Sequence, residues 1–130
     1  MRRTPQFFNE RRLRETMERQ NIDLVILRTV ENSIYVSEFF NNGGELGYRP
    51  FVAFFFRDPS IKPALILPAI DLHLAMDSTW IEDVRGYAMA EFFTDIAADF
   101  YPDFFAAATA LLADRKVRGL VIGTEGQLHQ

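Results

Sequence analysis

The apolar residues of this chain gather in short runs separated by polar, turn-forming stretches, and the spacing within each run predicts its structure. Ile22 to Leu27, Phe51 to Phe56 and Ala64 to Leu67 are nearly unbroken and rich in β-branched or aromatic residues, as strands covered on both faces are. Arg57-Asp58-Pro59-Ser60 closes the second run, while Pro63 and Pro68 bracket the third, so a short turn should join these two as a hairpin. Trp80 to Tyr87 has Ile81, Val84 and Tyr87 around Asp83 and Arg85, which predicts a shorter strand nearer an edge. Val117 to Ile122 predicts the last strand, ended by Gly123-Thr124-Glu125-Gly126.

Helical spacing fills the gaps. Thr4-Pro5 is a start signal, with the threonine as cap and the proline at the first helical position. Phe8, Leu13 and Met17 then share one face of a helix expected to end near Asn21. Ile70, Leu74 and Asp77 predict a short helix over Ile70 to Met76. From Thr94 as cap, Ile96, Phe100, Phe104, Ala108 and Leu111 or Leu112 form an apolar stripe interrupted by Pro102. Pro102 is expected to open the main helix rather than kink a longer one, because an interior proline costs ~3 kcal/mol. The expected architecture is α/β: one domain over residues 1–130, with a mixed sheet of about five strands flanked by helices. Val25, Leu27, Val52, Phe54, Leu65, Ile66, Val121, Phe104 and Leu111 should meet in a single core, with Trp80 partly buried as packing.

One stretch escapes this alternation. Asn32 to Phe39 reads as neither strand nor ordinary loop. With the soft Asn41-Asn42-Gly43-Gly44 segment it makes the first two strands' connection about twenty residues long, a length that in a compact domain is functional or disordered. Function is therefore sought here. Phe39, Phe40, Leu46 and Tyr48 flank the loop and predict self-association, although Phe39 and Tyr35 would equally serve to cap the sheet's end. Arg49 stands where the loop meets the second strand, placed either to pair with Glu45, or cap a carbonyl, or to reach outward.

Composition removes several chemistries. There is no cysteine, and His73 and His129 are the only histidines, so disulfides and thiolate sites are excluded and a metal centre lacks ligands at a usable spacing. The chain has no nucleophile elbow, phosphate loop or dinucleotide fingerprint. Glu82 and Asp83 are adjacent in a strand and point to opposite faces. The net charge of −4 is mild, yet residues 1–20 carry Arg2, Arg3, Arg11, Arg12, Arg14 and Arg19 against Glu10, Glu15 and Glu18. Glu10–Arg14, Arg14–Glu18 and Glu15–Arg19 fall at i,i+4 spacing, which reads as a solvated, ion-paired helix face and not as a nucleic-acid footprint. No window approaches a membrane span and the start lacks a signal-peptide core. The expected location is the cytoplasm, with no nucleic-acid or membrane partner.

The order of these pieces carries a likeness. A helix is followed by Ile22-Asp23-Leu24-Val25-Ile26, Asn32-x-x-Tyr35-Val36-Ser37-x-Phe39 and Arg49-Pro50-Phe51-Val52, then by a strand ending at Pro68. Trp80-x-x-Asp83-Val84-Arg85-x-Tyr87 and Arg118-Gly119-Leu120-Val121-Ile122-Gly123-x-Glu125 complete the set. Over nearly the whole chain this resembles the amino-terminal domain of the creatinase and prolidase group, the pita-bread metallohydrolases. No single motif is diagnostic, and one position departs: at Ser37-Glu38 such domains usually place a small or threonine residue and then a glycine.

The resemblance implies a ribonuclease H-like fold and a non-catalytic domain of a metal-dependent Xaa-Pro dipeptidase or aminopeptidase, or of a creatinase-like amidinohydrolase. It also implies a homodimer in which a loop is lent to the neighbouring subunit's active site, with Arg49 and Tyr48 contacting substrate there. Phe39, Phe40 and Leu46 would then lie at the interface. The family's metal ligands belong to a following catalytic domain, so this chain is expected to hold no metal and to catalyse nothing alone. A peptidase parent would use a pair of divalent metals, Mn, Co or Zn, and a creatinase-like parent none. The alternative is a stand-alone module of similar fold that binds a small acid or a peptide end.

Overall fold

The structure, a computed structural model, describes residues 4–40, 51–88 and 100–125. Five strands, β1 (Leu24–Leu27), β2 (Val52–Phe56), β3 (Ala64–Pro68), β4 (Asp83–Tyr87) and β5 (Ile122–Thr124), form one sheet in the order β4-β3-β2-β1-β5. The helices are α1 (Glu10–Arg19), α2 (Val30–Ser37), α3 (Leu72–Ser78) and α4 (Phe104–Arg115). β2 and β3 pair antiparallel with Ala53 opposite Leu65, which is the expected hairpin. β1 lies antiparallel to β2 with Val25 opposite Phe55. The outer pairs, β1 with β5 and β3 with β4, are parallel, so the sheet is mixed and Asp83–Tyr87 is an edge strand as expected.

Successive strand residues point to opposite faces, and both faces are covered. Ala53, Phe55, Leu65 and Leu67 turn toward α1, α2 and α3, where Phe8, Met17, Val36, Ala75, Trp80 and Ile81 meet them. Val52, Phe54, Phe56, Ala64 and Ile66 turn the other way, against Ala107 and Leu111 of α4. The single core expected from the sequence is thus two cores separated by the sheet. Leu65 and Ile66 are adjacent in β3 and cannot share one.

Other expectations need correction. The first helix starts at Glu10, capped by the Asn9 side chain accepting from the Arg12 N–H, so Thr4-Pro5 lies before it and not at its start. Asn32 to Ser37, read as neither strand nor loop, belongs to α2. The short helix expected over Ile70 to Met76 spans Leu72–Ser78, with Ile70 in the single 3-10 turn before it; Ile70 and Leu74 are exposed and Ala75 is the buried residue. Pro102 sits one residue before Asp103, whose carboxylate caps α4 by accepting from the Ala106 N–H at 2.8 Å. The last strand, expected over Val117 to Ile122, is Ile122–Thr124 and so includes the Gly123 and Thr124 expected to end it; Val121 lies before it and is 47 % exposed. Thr94 and Ile96 lie outside the described residues. Gly86 has a steric reason: a Cβ there would come within 3.2 Å of the Ala69 Cα, closer than side chains tolerate without a shift.

Candidate functional site

α2 is the element on which the site is built. Its first turn is held by Thr29, whose hydroxyl accepts from the Asn32 N–H at 3.4 Å. The Glu125 carboxylate accepts from the Thr29 N–H at 2.6 Å and from the Asn32 amide at 3.2 Å, a favourable place for negative charge at a helix start. These contacts tie the end of β5 to α2.

The inward side of α2 is polar where a helix of this size would ordinarily be apolar. The buried Ser33 hydroxyl lies 2.8 Å from the Leu27 carbonyl and 3.0 Å from that of Phe51, linking the ends of β1 and β2. Ser37 donates to the Ser33 carbonyl at 2.6 Å and accepts from the Phe39 N–H at 3.2 Å. Thr79 donates to the Ser37 carbonyl at 2.6 Å, and the Trp80 indole N–H donates to the Val36 carbonyl at 2.7 Å. The last carbonyls of a helix need partners from outside it, and Thr79 and Trp80 supply them. Trp80 is accordingly buried outright, at 5 % exposure, rather than partly.

α2 ends at Glu38 in the left-handed conformation, φ 57° and ψ 25°, which glycine adopts most readily. This is the residue at which the chain departs from the pattern it resembles. Its carboxylate accepts from the backbone N–H groups of Gln6 and Phe8, each at 2.9 Å, and also from that of Phe7. The Tyr35 hydroxyl accepts from the Asn9 N–H at 3.1 Å. Held in this way, Phe8 enters the core edge-on to Tyr35 and Phe55, at centroid distances of 5.2 and 5.3 Å.

Outside, Phe7, Tyr35 and Phe40 are 76, 48 and 55 % exposed and line a shallow groove together with Ile34 and Glu38. Of the aromatic residues singled out in the sequence, Phe40 is on this surface, whereas Phe39 is buried edge-on against Phe51 at 5.7 Å. Phe39 is therefore a core residue and not part of the exposed cluster, whereas Tyr35 is on the surface. Leu46, Tyr48 and Arg49 lie outside the described residues. Phe7, Ser33, Glu38 and Glu125 were not singled out as site residues. The one signal for Glu38 was a charged residue standing where a glycine is usual.

A second polar cluster lies at the β4 edge. Arg85 grips Asp83 through two contacts of 2.9 and 3.0 Å, and Arg115 reaches the same carboxylate at 2.5 Å. Arg85 also meets Asp114 at 2.9 Å and the Tyr101 hydroxyl at 3.2 Å. Burial pushes the Asp83 carboxyl upward, but the Arg85 and Arg115 hydrogen bonds outweigh it and hold the group below its usual range. Hydrogen bonding to Asp83 in turn raises the Arg85 guanidinium. The charges neutralise one another and brace α4 against β4.

Among the described residues, no group of three or more His, Cys, Asp or Glu side chains converges as a metal site would require. His73 is exposed on α3 and His129 lies outside the described residues. No helix among the described residues is long and apolar enough to cross a membrane.

The Creatinase/Prolidase N-terminal domain family matches residues 11–129. The chain belongs to this family. Solved structures share the fold of this creatinase/prolidase N-terminal domain at low identity. The Creatinase/Prolidase N-terminal domain of an X-Pro dipeptidase from Streptococcus pyogenes is 16 % identical with a TM-score of 0.54, covering 88 % of this chain and 96 % of that one. An X-Pro aminopeptidase from Thermotoga maritima is 18 % identical with a TM-score of 0.55, over 90 % of this chain and 26 % of that one. A proline dipeptidase from Streptococcus pneumoniae is 18 % identical with a TM-score of 0.52, over 62 % of this chain. This chain spans 56 % of that protein's solved length. None of the curated proteins matches.

Proposed function

We propose that this domain is the non-catalytic amino-terminal part of a metal-dependent Xaa-Pro dipeptidase or aminopeptidase, or of a creatinase-like hydrolase. In this reading it pairs subunits as a cytoplasmic homodimer and lends the segment after Phe40 to the neighbouring subunit's active site. The family match over residues 11–129 carries the proposal. The groove of Phe7, Ile34, Tyr35 and Phe40 supports the pairing role, since exposed apolar clusters of this kind mark interaction surfaces. A peptidase parent's pair of Mn, Co or Zn ions would be held by its catalytic domain, as the likeness to the creatinase and prolidase group implies. A creatinase-like parent would need none.

Arg49 is the residue proposed to meet a substrate carboxylate in the partner's site, with Tyr48 beside it. A guanidinium binds a carboxylate through two parallel hydrogen bonds, a geometry that lysine cannot reproduce. In the protein carrying both domains, Arg49→Lys should leave dimerisation intact and lower kcat/KM by ~1.5–3 kcal/mol, the range for a hydrogen bond to a charged group. An unchanged kcat/KM for every acid substrate tried would refute the role of the lent segment.

A further inference from the structure

We infer that Glu38 is a latch that fastens the amino-terminal strap to the end of α2 and thereby completes the aromatic surface. A charged residue in the left-handed conformation is disfavoured relative to glycine, and Glu38 adopts it at φ 57°, as Lys116 does at φ 54°. What distinguishes Glu38 is what its side chain holds. Three consecutive backbone N–H groups, those of Gln6, Phe7 and Phe8, converge on its carboxylate, and a carboxylate with several N–H donors is among the stronger hydrogen-bonding arrangements in proteins. Residues Gln6 to Phe8 belong to no helix or strand, so these bonds give their N–H groups partners that no regular structure supplies.

The latch has two products. Phe8 is carried to 5 % exposure, and Phe7 is left outside beside Ile34, Tyr35 and Phe40. The groove is therefore assembled from two segments far apart in sequence, and its shape depends on a bond between them. The latch stands on this geometry alone, whereas a use for Phe7 in subunit pairing rests on the function proposed above.

Amide hydrogen exchange on the full chain tests it, comparing the wild type with Glu38→Gly and Glu38→Gln. Glycine suits the left-handed position, so Glu38→Gly keeps the turn and removes only the carboxylate. Exchange at Gln6, Phe7 and Phe8 should speed up at least about tenfold, the factor expected from losing a hydrogen bond to a charged acceptor, while β2 and β3 amides stay unchanged. Glu38→Gln, which retains one carbonyl acceptor, should fall between. Equal exchange at residues 6–8 in the wild type and Glu38→Gly, or faster exchange throughout the sheet, would overturn the latch. Faster strap exchange in Glu38→Gly would uphold it even if Phe40→Ser left subunit pairing untouched, an outcome that would count only against the pairing surface.

Discussion

The two faces of the sheet are closed by different means. On one, α4, the one helix on that face among the described residues, lays Ala107 and Leu111 over Phe54, Phe56 and Ile66, and charge is kept to the rim in the Asp83–Arg85–Arg115 cluster. On the other, α1, α2 and α3 share the cover, and the eight-residue α2 is fixed by hydroxyl, indole and carboxylate contacts to backbone groups. Hydrocarbon burial suffices where a long helix meets a flat apolar face. Where a short helix must end inside the molecule, its carbonyls need donors, and the face bearing those donors also carries the exposed aromatic groove.

Truncation should separate these two means most sharply at the α4 face. Phe54 is 1 % exposed, so Phe54→Ala should cost ~3–5 kcal/mol in denaturant unfolding. A loss below about 1 kcal/mol is typical of surface positions and would contradict its placement. On the opposite face the corresponding weak point is a hydroxyl. Ser33→Ala removes one oxygen atom but leaves the Leu27 and Phe51 carbonyls without that donor, and should cost ~1–3 kcal/mol. A neutral result would mean that α2 is held by packing alone.

The smallest effect belongs to the charged rim. Asp83 is held below its ordinary 3.8, so the carboxylate contributes stability that is present above about pH 3.8 and is lost as pH falls through its lower folded value. Asp83→Asn should cost ~1 kcal/mol at neutral pH, between the values for exposed and buried pairs, and should flatten the acid limb of a stability–pH curve. An unaltered acid limb would assign that limb to other carboxylates.

The same contrast explains what the sequence conveyed. β1 to β3 are legible because continuous apolar runs specify strands buried on both faces, and β4 because Val84 and Tyr87 are interleaved with Asp83 and Arg85 as at a sheet edge; the division of the residues of β1 to β3 between two cores follows from alternation, which the unbroken runs conceal. α2 was not legible as a helix. Ser33 and Ser37 occupy its buried positions, so the apolar stripe that marks a helix is interrupted by hydroxyls whose partners are distant in sequence. The short helix is legible from the spacing of Ile70 and Leu74, but its buried face is not, since the small Ala75 makes the contact. Phe40 was legible as a surface aromatic. Phe7 was not, since its placement depends on the Glu38 carboxylate some thirty residues away.

Sedimentation velocity at high micromolar concentration asks whether subunits pair through the groove containing Phe40, as proposed. The wild-type chain should sediment as a dimer and Phe40→Ser as a monomer with unchanged secondary structure. A wild-type monomer, or a Phe40→Ser variant that remains fully dimeric, would contradict the proposed pairing.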